Sequence, residues 1–235
     1  MSESVTSLSI MSNIFTNPQT AFDEIKIKYP VILPLLTMLI LQAALVIFMY
    51  MSVDYKWYID EMVQRLTTAD AKQEEIAAMR QGMEMMSGTT TGILGAVFAS
   101  LFIAAMYSVM ALYFVIISAI SNDGLKFKQW YSFVAWTSIP GIIGILAGFV
   151  MVLTASNGQI MPEALNPLSL NELIFNMDAT KGIGAVLAGT SITAFWSFAL
   201  MVIGYAKWTG KSTAISTAII FALYAVTYGI WIAIV

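Results

Sequence analysis

Residues 90–121 read TTGILGAVFASLFIAAMYSVMALYFVIISAIS, 32 positions without a charged side chain. About 20 apolar residues in a helix already cross a hydrocarbon core about 30 Å thick. Working outward from this run, comparable stretches occupy about Pro30–Ser52, Trp130–Leu153, Ile183–Ala206 and Ser212–Val235. None alternates apolar with polar positions, so helices are expected rather than the strands of a barrel. Composition agrees. Of 235 residues, 59% are hydrophobic and 11% charged, whereas ordinary globular domains carry about 25% charged residues. The expected fold is all-α: a polytopic membrane protein with a bundle of five transmembrane helices, and the lipid bilayer as its first partner.

Residues 1–29 are expected to form a cytoplasmic N-terminal segment. Residues 30–235 form the five-helix transmembrane domain, with an external loop, 53–89, between its first two spans. Five crossings place the chain ends on opposite sides. Lys126, Lys128, Lys207 and Lys211 crowd two short loops at span ends, with Lys26 and Lys28 on the same side. Basic residues so close to span ends mark the cytoplasmic face. The N-terminus is therefore expected inside and the C-terminus outside. Tyr29, Tyr50, Trp57, Trp130, Tyr205 and Trp208 fall near the span edges, where amphipathic rings are favoured. Residues 1–13 lack the charged start and continuous apolar core of a signal peptide.

Two segments outside the spans carry helical patterns. Asn17-Pro18 places a capping residue before a proline suited to the first helical turn. Phe22 and Ile25 then share a face, which suits a short interfacial helix lying on the cytoplasmic leaflet or, alternatively, docking on a partner. In the external loop, Ile59, Met62, Val63 and Leu66 follow helical spacing, and Glu61–Arg65 is a favourable i,i+4 pair. Ile76, Met79, Met83 and Met86 repeat the stripe. An extracytoplasmic amphipathic helical hairpin is expected. Thioethers are soft ligands, so Met79, Met83 and Met86 could hold Cu(I); the commoner use of methionine is to fill an apolar stripe.

Histidine and cysteine are absent, which removes thiol nucleophiles, imidazole bases, disulfides and the usual zinc sites. Net charge is −3 with no basic tail, so no nucleic acid partner is expected. The five expected spans contain no Asp, Glu, Lys or Arg, the side chains that mark proton relays and ion pathways. No catalytic residues and no cofactor are expected, and the chain does not read as an enzyme. The spans instead carry small residues at packing spacing. Gly88–Gly92, Gly144–Gly148 extended by Gly141, and Gly184–Ala188 let helix backbones approach, within one chain or across a homo-oligomer. Pro140 interrupts the third span, and Thr190, Ser191, Thr193 and Ser197 form a hydroxyl strip on the fourth. Each hydroxyl can bond the carbonyl of its own preceding turn; together with the Pro140 break they could also line a cavity.

Three stretches resemble the bacterial branch of the YIP family, the Ypt/Rab-interacting proteins with five spans. Asn17-Pro18 with Phe22 is similar to the start of its bacterial members. Gly124, Phe127 and Pro140 resemble its glycine turn, following aromatic and span-three proline. Trp196 and Gly204 resemble the end of its fourth span. The resemblance implies a bacterial inner (plasma) membrane location, a cytoplasmic N-terminus, an external C-terminus, and a membrane-organising or adaptor role among other membrane proteins. Only about 29 residues precede the first span and the external loop is long, so Rab binding is not carried over. A passive carrier or channel for a lipid or small uncharged solute is the competing reading.

Overall fold

The computed structural model describes residues 6–67 and 70–235; Glu3, counted with the N-terminal segment, and Thr68, in the external loop, lie outside them. The chain runs α1 (Ser7–Thr16), α2 (Pro18–Lys28), α3 (Ile32–Ser52), α4 (Tyr55–Leu66), α5 (Gln73–Glu84), α6 (Gly88–Ser121), α7 (Phe127–Thr137), α8 (Gly141–Thr154), α9 (Gly182–Gly189), α10 (Thr193–Thr209) and α11 (Thr213–Ile234). Short turns of tighter or wider helix, Ser156–Gly158, Pro162–Leu165 and Asn171–Phe175, fill the gap between α8 and α9. Among the described residues every regular element is helical, and the one isolated β-bridge pairs Ser169 with Ser191.

By length and apolarity α3, α6 and α11 can each cross a bilayer alone, and α7 with α8 forms a fourth candidate bent by 45°. The bend follows from the sequence. Pro140 offers no N–H and cannot sit inside a straight helix. Thr137 and Ser138 hydroxyls take up the carbonyls of Phe133 and Val134, at 3.0 and 2.8 Å, and Gly141 N–H donates to the Ser138 carbonyl at 3.0 Å to restart the helix. At 34 residues, α6 is about 51 Å long, well beyond the hydrocarbon thickness. Its N-terminal end packs closely on α3: a Cβ at Gly92 would lie 2.9 Å from that of Tyr50.

The expected continuous crossing Ile183–Ala206 is not one helix. It divides into α9 and α10, with Thr190 in extended conformation between them. The released backbone groups are taken up by a segment from the α8–α9 connection. Leu170 N–H donates to the Thr190 carbonyl at 2.8 Å and Ile192 N–H to the Leu168 carbonyl at 2.9 Å. Non-helical backbone between spans is tolerated only where protein satisfies it in this way. The loop 154–182, expected in water, accordingly turns back onto the bundle: a Cβ at Gly148 would lie 2.5 Å from the Leu165 carbonyl oxygen and 2.8 Å from Leu45.

Two buried clusters hold the molecule together. One gathers α1, α2, α7, α10 and parts of α6 and α11 around large aromatics. The other gathers α3, α4 and α8, with Ile76, Met79 and Met83 of α5 packed against it.

Candidate functional site

The first arrangement begins at Asn17, whose side chain accepts from Thr20 N–H at 3.3 Å and starts α2 after Pro18 has closed α1. The Phe22–Ile25 face, expected against a membrane surface, is turned instead onto the bundle. Phe22, Phe114, Trp130, Phe133 and Tyr205 are fully buried, and Trp208 nearly so. Phe114 stacks on Trp130 with centroids 4.9 Å apart, Trp130 on Tyr205 at 5.6 Å, and Phe133 meets Trp208 at 5.2 Å. Such contacts add about 0.5–1.5 kcal/mol each beyond burial. The indole N–H groups find partners: Trp208 donates to the Phe22 carbonyl at 2.9 Å, Trp136 to the Pro30 carbonyl at 2.7 Å, and Trp130 to Ser118 at 2.7 Å. Gly204 leaves the slot that Phe22 occupies, since a Cβ there would lie 2.5 Å from its ring. At the rim Lys26 donates to the Trp208 carbonyl at 3.0 Å, and Lys207 pairs with Asp23 at 3.0 Å. Higher on α10, Trp196 meets Phe15 of α1 edge-on at 5.3 Å. Gly124 takes φ +74° in the turn before α7, and Phe127 packs on Tyr131 at 5.6 Å while staying exposed.

The second arrangement is a cavity of about 580 Å³ between α3, α8, the 162–166 turn and the α9–α10 break. Both helix breaks contribute to it, through Gly141 and Gly144 on one side and Ser191 and Thr193 on the other. Met38, Leu45, Val46, Ile145 and Leu165 give apolar wall. The polar lining comes from Gln42, Glu163, Asn166, Ser191 and Thr193. Asn166 is fixed by donating to the Ala188 carbonyl at 2.8 Å, and Thr193 by donating to Ser191 Oγ at 3.0 Å. Glu163 is engaged by Arg65 of α4, itself paired with Glu61 at 3.0 Å. The hydrogen bond to Glu163 raises the Arg65 guanidinium above its ordinary pKa.

The residues expected to form a glycine seam all face groups of their own chain. Gly141 faces Met38, Gly144 faces Ser191, Gly148 faces Leu165 and Leu45, and Gly184 abuts the Asp178 backbone, while Ala188 lines the cavity. Met79 and Met83 pack on the cluster containing Ile59 and Val63, and Met86 is exposed. Of the hydroxyl strip, Thr190 bonds the Val186 carbonyl at 2.7 Å and Tyr228 at 3.1 Å, while Ser191 and Thr193 line the cavity. Sequence reasoning missed Gln42, Glu163 and Asn166. Gln42 is the one side-chain amide in α3, and a lone amide in an apolar span was the available signal. The other two stand in a connection whose return to the bundle depends on remote pairing.

Three long apolar helices and a bent fourth candidate define an all-helical membrane protein. The Yip1 domain model matches residues 12–234, and the chain belongs to the Yip1 family. Neither curated proteins nor solved structures give a match.

Proposed function

We propose that this chain is a non-catalytic, YIP-like protein of a bacterial inner membrane that organises or adapts other membrane components. In this reading α10 supplies the fifth crossing, since its 17 residues rise about 25 Å. The N-terminus is cytoplasmic, the C-terminus external, and the α4–α5 pair lies on the outer side. The observation that carries the reading is the locking of α1 and α2 onto α7 and α10 through Phe22, Gly204 and Trp208. An adaptor needs a surface held rigidly relative to its membrane anchor, and this node supplies one. Leu8 and Ile27 remain exposed on that surface as contacts for other membrane proteins. Self-association belongs to such outward faces, because the seam glycines face groups of their own chain. The test is an affinity pull-down from native membranes comparing the wild-type chain with Gly204→Leu, which displaces Phe22. Partners retained by wild type and lost by an otherwise folded variant support the adaptor role. An identical set of partners removes this surface from it.

The cavity favours a second reading, a passive conduit for a lipid or small uncharged solute. Two of its polar groups, Ser191 and Thr193, sit where α9 breaks from α10, and broken helices are a common feature of midplane binding sites in carriers. Specific movement of lipid or solute in reconstituted vesicles supports it, and flux equal to protein-free vesicles removes it.

A further inference from the structure

We propose that the cavity between α3, α8 and the α9–α10 break binds an uncharged lipid whose head bears free hydroxyl groups. The inference deepens the conduit reading by naming a ligand class, and it requires binding, not transport. Its volume, about 580 Å³, lies within the range of small-molecule sites.

Charge decides the class. The ionisable group lining the cavity is Glu163, and its partner Arg65 is shared with Glu61, so the trio keeps a net negative charge. An anionic head would meet like charge with no cation in the lining and lose its hydration uncompensated, and a cationic head would compete with the Arg65 guanidinium already seated on Glu163. The hydrogen-bonding inventory decides the chemistry of the head. No group among the described residues hydrogen-bonds the side-chain amide of Gln42, which offers two donors and an acceptor. Asn166 gives one amide hydrogen to the Ala188 carbonyl and keeps its oxygen free. Ser191 Oγ accepts from the backbone N–H and the hydroxyl of Thr193, leaving its own proton to donate. Donors and acceptors thus stand together, the complement of alcohols, which both give and take. An ester group alone only accepts and would leave the amide oxygens of Gln42 and Asn166 unmet, and a hydrocarbon would leave donors and acceptors alike unmet. Met38, Leu45, Val46, Ile145 and Leu165 supply the apolar wall for a chain. The helices framing the cavity carry exposed Ile40, Leu146, Val150 and Phe195 on their outer faces, apolar side chains that suit contact with lipid.

The experiment uses the full chain in phosphatidylcholine vesicles with a diazirine-tagged monoacylglycerol, adducts being located by mass spectrometry. Saturable labelling at Met38, Leu45 or Leu165 is expected, displaced by untagged monoacylglycerol and not by a fatty-acid anion of equal length. Gln42→Leu, an apolar change in an apolar span, should weaken binding roughly three- to tenfold, as loss of one or two neutral hydrogen bonds does. Gly144→Leu should abolish labelling by filling the space; if that variant misfolds, Gln42→Leu alone decides. Labelling spread over all lipid-facing helices, or unchanged in Gln42→Leu, overturns the site. Displacement by the fatty-acid anion overturns the neutral-head assignment. Saturable labelling without vesicle flux removes the conduit reading and leaves the site standing.

Discussion

At the scale of single residues, the most constrained position is Gly204. Its missing side chain lets the Phe22 and Phe133 rings close over α10, and the Trp208 indole then reaches the Phe22 carbonyl. A methyl group there must push apart rings that are already fully buried, and overpacking of this kind costs about 1–3 kcal/mol. Gly204→Ala should therefore lower the thermal unfolding midpoint in detergent and speed proteolysis within residues 7–28. A midpoint equal to that of wild type would mean that the rings have slack the structure does not display. Part of this node was legible in the sequence. Capping chemistry marked Asn17 and Pro18 and helical spacing marked Phe22, though its face was expected on the membrane surface, while Gly204 stood out only through the resemblance to the YIP family. That Phe22 and Gly204 meet each other was not legible, because the contact joins distant parts of the chain.

At the scale of elements, the two helix breaks differ in how openly they are written. Pro140 announces its bend through a missing N–H. The division of α9 from α10 is silent, for Thr190 and Ser191 look like ordinary span hydroxyls. Its cause lies in Leu168 and Leu170, whose backbone groups pair with Ile192 and Thr190. Asn166 secures the same junction by donating to the Ala188 carbonyl at 2.8 Å. Asn166→Ala leaves that carbonyl without its donor, at a cost of about 1–3 kcal/mol. The variant should unfold at lower denaturant concentration, and amide exchange should rise first in α9. Exchange that rises uniformly, or not at all, would place the support of α9 elsewhere. The neighbouring turn exposes Leu173, Ile174, Phe175 and Met177 together, a patch that suits lipid better than water. The chain has no native cysteine, so Phe175→Cys carrying a polarity-sensitive dye reports on this position cleanly. Its emission in vesicles should shift to the blue, as for a group in the acyl region; a water-like spectrum would put the turn outside the membrane.

At the scale of the whole molecule, the all-helical membrane class followed from run length and charge content, and the described residues fold into helices, three of them long and apolar enough to cross a bilayer. The number of crossings did not follow so simply. Hydropathy averages over a break that the backbone resolves, so a sequence run of span length became two helices. It also assigns connections to water by default, which hid Glu163 and Asn166 from view as cavity residues. The cytoplasmic-in orientation can be tested on the intact chain. Single cysteines in place of Lys211 and of Gln73 should respond oppositely to a membrane-impermeant thiol reagent applied to whole cells. Gln73→Cys should be labelled directly, and Lys211→Cys only after the membrane is opened. The reverse pattern would invert the topology, and labelling of both from outside would remove the odd count of crossings.

The lock between α2 and α10 has a consequence for how the protein is made. Phe22 and its hydrogen-bond partner Trp208 are 186 positions apart. At about 5–20 residues per second, the ribosome delivers α10 roughly ten to forty seconds after α2. Within that interval Phe22 gains the cover of Phe133 but lacks that of Gly204 and Trp208. A nascent chain cut short before α10 leaves Phe22 half covered, a molecular flag by which quality-control proteases can tell unfinished copies from finished ones.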